Sequence, residues 1–288
     1  MKISSAFKSD KTVFSLEIFP PKKSVGDIST IYKTLDGLES IRPDFISVTY
    51  GAGGNRADLT TFEICKIIKE KYNLEALAHL TCVNSTREDI DYILKKLDES
   101  RIENILALRG DIREDVEPKH DFEHASDLVE YIKSSGYDFS VSGACYPEVH
   151  IDAESSVSDM HALKRKVDLG AEHLVSQLFF DNNAFYSFLE KARMAGIDVP
   201  IEAGIMPVVN IKQIERMVSM CGASLPPKFS RVMSKFADNP QALFDAGVAY
   251  AIDQIIDLIS NGVDGIHLYT MNNPIVARRI FSAIDSMR

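Results

Sequence analysis

Three things are scarce in this 288-residue chain, and each scarcity removes a class of function. Positive charge is the first: 32 Lys and Arg against 42 Asp and Glu leave a formal net charge of −10, which argues against non-specific binding to nucleic acid or an anionic membrane. Any anion site must be local. Paired thiols are the second, since Cys65, Cys82, Cys145 and Cys221 stand far apart with no C-x-x-C pair, and no disulfide is expected. Long apolar runs are the third. None approaches the ~20 residues of a membrane span, and "MKISSAFKSD" lacks the apolar core of a signal peptide. The expectation is a cytoplasmic protein with neither membrane nor nucleic acid as partner. Zinc spacing is missing too, because His79 with Cys82 and Cys145 with His150 offer one thiol per pair, so no metal is expected.

Hydrophobic residues make up 45% of the chain and charged residues 26%, enough for a sizeable core without staples. Eight short apolar runs, rich in β-branched and aromatic residues, recur at 13–19, 45–50, 75–82, 104–109, 138–146, 173–180, 201–207 and 263–270. Between them lie stretches of helical period such as "LTTFEICKIIKEKY", "REDIDYILKKLDES" and "AFYSFLEKARMAG". Strand and helix therefore alternate, which predicts a parallel sheet. Eight such units in this length predict an α/β fold, a single (β/α)8 TIM barrel over 1–288 with catalytic residues at the C-terminal strand ends. The Pro-containing stretch 223–240 and the apolar helix 241–259 read as an extra helical insertion before the last strand.

Strand parity sharpens this picture, because successive side chains face opposite sides of a strand. Leu16 and Ile18 fit the helix side and leave Ser15, Glu17 and Phe19 in the lumen. The same test places Ser47 and Thr49, His79 and Thr81, Ala107 and Arg109, Gln177, and His267 and Tyr269 inside. Convergent polar groups in one lumen mark a binding site. A lone carboxylate there either holds a proton or pairs, because burial disfavours its charge. Glu17 is thus a proton donor or the partner of Arg109 or a lysine.

Other motifs carry two readings each. "ALRGD" ends the fourth run with Gly110, which lets a backbone approach a ligand, and Asp111 over the barrel mouth, or it is only a turn. "CYPEVH" holds Tyr146 and His150 in a loop stiffened by Pro147. Lys164, Arg165 and Lys166, late in a helix, form either a solvated face or a phosphate grip. "YGAGGNR" has no phosphate-loop pattern and reads as a βα loop over the site.

The motifs "EIFPPK", "SVTYGAGG", "HLTC", "ALRGD", "YPEVH", "LKRKVDLGA", "QLFFD", "GIMPV" and "HLYTMN" together resemble, in order and spacing, bacterial-type 5,10-methylenetetrahydrofolate reductases. The likeness runs from about residue 12 to the end. It implies an enzyme with non-covalent FAD, reduced by NAD(P)H and passing a hydride to methylenetetrahydrofolate to give 5-methyltetrahydrofolate. By position it implies Glu17 as general acid and Asp111 beside the pterin and flavin. Gln177 and Gln213 would meet folate or nicotinamide, with Met217 and Asn273 at the same pocket. Thr49, His79, Arg109, Gly110, Asp111, Ala125, Tyr146, His150, Asp159, Arg165 and Lys166 would line the FAD site. The chain departs from the resemblance at Met217, where many relatives carry an aromatic residue, at Asn273, where they carry Arg, and at Ala162. These departures bear on ligand stacking, the folate tail and the electron donor. A homo-oligomer is expected, without the regulatory domain of eukaryotic relatives. Two other readings are a folate-binding flavin subunit that needs a partner protein for electron delivery, and a metal-dependent barrel enzyme using His79 and His150.

Overall fold

The computed structural model describes residues 1–9, 11–21, 28–50, 60–112, 117–210, 214 and 221–288. These form a closed barrel of parallel strands in chain order. The strands are β1 (Val13–Ile18), β2 (Phe45–Val48), β3 (Glu75–Thr81), β4 (Asn104–Leu108), β5 (Ser140–Cys145), β6 (His173–Ser176), β7 (Ile201–Ile205) and β8 (Gly265–Tyr269). β8 pairs with β1 to close the ring, with Glu17 opposite Tyr269 on that side and Ser47 on the other. The described helices are α1 (Ser29–Leu38), α2 (Thr60–Tyr72), α3 (Arg87–Glu99), α4 (Ala125–Ser134), α5 (Ser156–Asp168), α6 (Asn182–Met194), α7 (Pro227–Lys235), α8 (Pro240–Ser260) and α9 (Pro274–Ile284). The predicted barrel is present, and α7 and α8 are the helices before the last strand.

Local chemistry explains the helices. In α3, Thr86 accepts from the Asp89 N–H at 3.2 Å while Asp89 accepts from the Thr86 N–H at 3.1 Å, which satisfies two otherwise unpaired donors. Ile90, Ile93, Leu94 and Leu97 then repeat at helical spacing and are all buried. The main core lies between strands and helices: Leu16, Ile18, Ile46, Val48, Ala78, Leu80, Ile266 and Leu268 face it, as parity predicts. Burying each large apolar side chain there contributes about 1.5–3 kcal/mol.

The fourth strand is a correction. Ile105 and Ala107 face the helices, whereas Leu106 and Leu108 join a lumen cluster with Val13, Phe45, Leu77 and Val175. The parity test assumed that leucines point outward, but the lower lumen is itself apolar. It is closed by the 3-10 helix Ile3–Lys8, whose Ile3 and Phe7 enter this cluster. Ile3 N–H donates to Asn104 Oδ1 at 2.8 Å, which fixes the plug. Arg109, one residue beyond β4, accordingly does not turn inward to Glu17. The run 173–180 also stops early as a strand, because Leu178 and Phe180 turn into a second cluster with Val208, Phe229 and Met233 beneath α7.

Candidate active site

Glu17 sits late in β1 facing the lumen, and only 5% of it is exposed. Its backbone is held from β8, since Thr270 Oγ1–H donates to the Glu17 carbonyl at 2.6 Å. Asn272 brackets the next turn of chain, accepting from Phe19 N–H and donating to the Phe19 carbonyl, both at 2.8 Å. The carboxylate meets two imidazoles: His267 Nε2 at 3.4 Å and His79 Nε2 at 3.6 Å from Glu17 Oε2. Among the described residues no Lys or Arg pairs with it. Arg109 instead binds Asp152 at 2.7 Å.

Burial pushes His79 down to about 4, against the pull of Glu17, so at neutral pH its ring carries no charge. Its Nε2 also hydrogen-bonds Ser47 Oγ. Tyr269 is lifted far above the ordinary phenol range by burial, with Glu17 adding to the effect, and its hydroxyl donates to the Ser176 carbonyl at 2.8 Å. Glu17 thus has a neutral His79 and a hydrogen-bonded Tyr269 beside it, and no Lys or Arg partner among the described residues.

The His79 value yields a stability prediction. Its folded value of about 4 lies below the unfolded 6.5, so the unfolded chain binds the extra proton and stability is lost as pH falls through this window. The loss approaches about 3 kcal/mol at the acid end. Chemical unfolding of wild type and His79→Gln between pH 6.5 and 4 should show a steeper decline for wild type; parallel slopes would contradict the assignment.

A second neighbourhood lies between the ends of β4 and β5 and helices α4 and α5. This cleft of about 500 Å³ has Arg109, Ala125, Tyr146, His150, Asp159, Arg165 and Lys166 in its wall, with Ala162. Gly110, at φ +86°, turns the chain out of β4; a Cβ there would stand 3.0 Å from Thr81 Cβ. Asp111 follows, exposed at the mouth. Asp159 Oδ2 accepts from His150 N–H at 3.1 Å, and the Tyr146 and His150 rings meet edge to face at 4.5 Å. Burial raises the Tyr146 hydroxyl to about 12 and lowers His150. Lys166 is half-buried, lowered by that burial, and donates to the Ala144 carbonyl. It makes no ion pair among the described residues. Arg165 reaches Asp127 at 3.6 Å and Lys164 pairs with Asp168 within the helix, so the basic run divides between cleft and surface.

The remaining expected residues are distributed as follows. Thr49 stands just past β2, its N–H on the Ile18 carbonyl at 3.1 Å. Gln177 stands just past β6, its Oε1 accepting from Leu178 N–H at 2.9 Å. Asn273 caps α9, with Oδ1 accepting from Ile275 N–H at 3.2 Å. Gln213, Met217 and the glycines 51, 53 and 54 lie outside the described residues. Four cysteines are free, and burial pushes Cys82 and Cys145 up to about 12. Among the described residues no three His, Cys, Asp or Glu side chains gather around a metal position, and no described helix is long and apolar enough to cross a membrane.

The parity reading named His267, Tyr269 and Ser15 without giving them roles, and it passed over Glu202 and His173. Glu202 carried the same signal as Glu17: a carboxylate inside an apolar strand, "IEAGIM".

Comparison with known proteins adds a name to this geometry. A family model described as methylenetetrahydrofolate reductase matches residues 2–285. The 5,10-methylenetetrahydrofolate reductase of Pectobacterium carotovorum is 39% identical over 258 residues, covering 90% of this chain and 85% of that protein. Its Escherichia coli K12 counterpart is 38% identical over 259 residues, covering 90% and 86%. Methylenetetrahydrofolate reductase (NADH) 1 of Arabidopsis thaliana is 37% identical over 285 residues, covering 94% of this chain; the chain spans only 48% of that longer protein. Among solved structures, an uncharacterized Clostridium thermocellum protein described as binding two copies of 5-methyl-5,6,7,8-tetrahydrofolic acid superposes with a TM-score of 0.65 at 13% identity, covering 99% of each chain. That last likeness concerns the fold alone.

Proposed function

The chain belongs to the methylenetetrahydrofolate reductase family, and from that premise we propose that it reduces 5,10-methylenetetrahydrofolate to 5-methyltetrahydrofolate in two half-reactions, with FAD as cofactor and NAD(P)H as donor. The observation that carries the mechanism is Glu17: a carboxylate 5% exposed, late in β1 in the lumen, facing two imidazoles and no Lys or Arg among the described residues. A buried acid placed there, with no Lys or Arg partner among the described residues, is positioned to act as a proton donor.

The residues present fit FAD. Its diphosphate needs cations, and at the cleft between α4 and α5 Lys166, which has no carboxylate ion partner among the described residues, would supply the first, with Arg165, which reaches Asp127 at 3.6 Å, beside it. Tyr146, His150 and Ala125 would border its adenosine half. Bound FAD supplies the hydride chemistry, accepting from the nicotinamide and delivering to the folate.

The protein's own contribution begins with the five-membered ring of the substrate, whose bridging carbon accepts hydride readily only after the ring opens to an iminium. Opening requires a proton on the departing nitrogen, and Glu17 gives it. Asp111, an acidic side chain exposed at the mouth, would favour the resulting cation. Gln177 orients the pterin or, in the other half-reaction, the nicotinamide. Gln213, Met217 and Asn273 would border the same ligand.

The test uses the purified full chain. A flavin absorption spectrum is expected on isolation or after reconstitution with FAD. NADH or NADPH should bleach it, and methylenetetrahydrofolate should restore it. A chain that binds no FAD refutes the proposal. Steady turnover by the isolated chain also removes any obligate electron-delivering partner, and comparing the two donors fixes the preference.

A further inference from the structure

Val149 adopts a left-handed backbone at φ +71°, a conformation rare for a β-branched side chain. It closes the turn after β5, with its N–H on the Tyr146 carbonyl at 3.3 Å. Strain of this kind persists only where the surroundings hold it, and it concentrates beside ligands. Here the turn is held from both flanks. On one side His150 N–H donates to Asp159 Oδ2 of α5 at 3.1 Å. On the other, Glu148 Oε2 accepts from Ser224 N–H at 3.0 Å, a bond that spans 76 residues and reaches the chain leading into α7. Ser224 is a firm anchor, because Ala223 beside it is only 3% exposed and packs in the cluster of Leu178, Phe180 and Phe229.

Support and contact are divided within this turn. Tyr146 and His150 stand in the wall of the cleft between α4 and α5, their rings edge to face at 4.5 Å, whereas Glu148 is outside that wall. Its second oxygen, Oε1, is buried and has no hydrogen-bond partner among the described residues, so the bond to Ser224 is the one this side chain makes there. A buried oxygen left unpaired costs stability. The arrangement is a poor one for stability, and what it does supply is a fixed end for the strained turn. Without it Val149 is free to relax toward the extended or helical region. Tyr146 and His150 flank that relaxation, so the ring pair would leave its place in the wall.

We propose that Glu148 is a positioning residue for the cofactor: by tying the strained turn to Ser224, it holds Tyr146 and His150 where FAD meets them. The inference rests on the reading of the α4–α5 cleft as the FAD site.

Glu148→Ala tests it in two steps. Hydrogen exchange of the full chain without FAD, followed by mass spectrometry, should show peptides covering 145–153 and 221–226 exchanging about tenfold faster than in wild type, the protection lost with one hydrogen bond, while the other helices are unchanged. Titration of the same protein with FAD, read by flavin fluorescence, should give a Kd about tenfold above wild type. Glu148→Gln keeps an oxygen for Ser224 and should restore both. Val149→Asn separates a clamp on strain from a general prop, because asparagine tolerates the left-handed region. In that background Glu148→Ala should cost less FAD affinity than it does beside Val149. Glu148→Asp, whose reach is one methylene shorter, serves if the alanine variant does not fold. Equal exchange at 145–153 in wild type and variant overturns the proposal, as does an unchanged FAD affinity where exchange has risen, or an undiminished loss in the Val149→Asn background. If exchange rises as expected but wild type binds no FAD, the clamp stands and the cofactor assigned to the cleft falls.

Discussion

Glu17→Gln should slow reoxidation of the reduced flavin by methylenetetrahydrofolate by about 10²–10⁴-fold, the range removed with a general acid, while reduction by the nicotinamide changes by only a few-fold. At about 1.4 kcal/mol per decade that is a loss of roughly 3–5 kcal/mol from one transition state and almost nothing from the other. The substitution is nearly isosteric. The Thr270 and Asn272 bonds that shape the end of β1 are to the main chain of Glu17 and Phe19, so they survive it. The amide can still bond His267 and His79, so the fold and the flavin environment should persist. What disappears is the dissociable proton. Stopped-flow absorbance of each half-reaction separates the two outcomes, and folate binding to the oxidised protein should stay within the same order. Equal slowing of both halves would mean that Glu17 shapes the flavin site and is not an acid. Glu17→Asp, which keeps the proton and shortens the reach, should fall between wild type and the amide.

The barrel was legible because each strand is a short β-branched or aromatic run followed by a helical period, a local signal that tertiary contacts reinforce. Glu17 was legible for a narrower reason: it breaks the apolar pattern of β1 on the parity opposite Leu16 and Ile18, and burial of an acid is expensive enough to demand an explanation. Parity misled on β4, where Leu106 and Leu108 are as apolar as the outer-face residues they were taken for; only the N-terminal plug, folded from more than 90 residues earlier in the chain, makes the lower lumen apolar. The ring around Glu17 was half visible. His267 and Ser15 share its face, but whether they touch it depends on the register in which β8 meets β1, which no single strand encodes. Asn272 could not be found at all, since its role depends on two consecutive left-handed residues, Met271 at φ +51° and Asn272 at φ +55°, that double the chain back onto Phe19. The basic run of α5 gave three cations and no order among them. The structure separates them by their neighbours, Lys164 taken by Asp168, Arg165 near Asp127, and Lys166 left with a carbonyl.

Gly247→Ala tests the packing that supports the mouth of the barrel. In an ordinary helix interior this change stabilises, by roughly 0.5–1 kcal/mol, through the lost backbone freedom of glycine. Here the opposite sign is expected. A Cβ at Gly247, inside α8, would stand 1.8 Å from the Val208 carbonyl oxygen and 2.8 Å from its carbon. Ordinary carbon-to-oxygen contacts of this kind lie at about 3.3–3.6 Å, so helix and strand exit must separate by about 1.5 Å. The obstacle is main chain, and no rotamer change relieves it. Moving α8 outward also loosens Val248, Ala251, Ile255 and Leu258, all buried against the barrel. Moving the other partner displaces Val208, which packs with Leu178, Phe180 and Phe229 above β6 and β7. Overpacking typically costs 1–3 kcal/mol and more when backbone must shift, so the strain exceeds the propensity gain and a net loss of about 3 kcal/mol is expected. That corresponds to a drop of roughly 6–12 °C in Tm for a protein of this size, measurable by calorimetry or denaturant unfolding. The surviving folded protein should bind FAD at the α4–α5 cleft as before, because neither partner of the clash reaches it. A Tm equal to or above wild type would show that α8 does not approach the end of β7 this closely, and the support for the folate end of the barrel would have to be sought in other contacts.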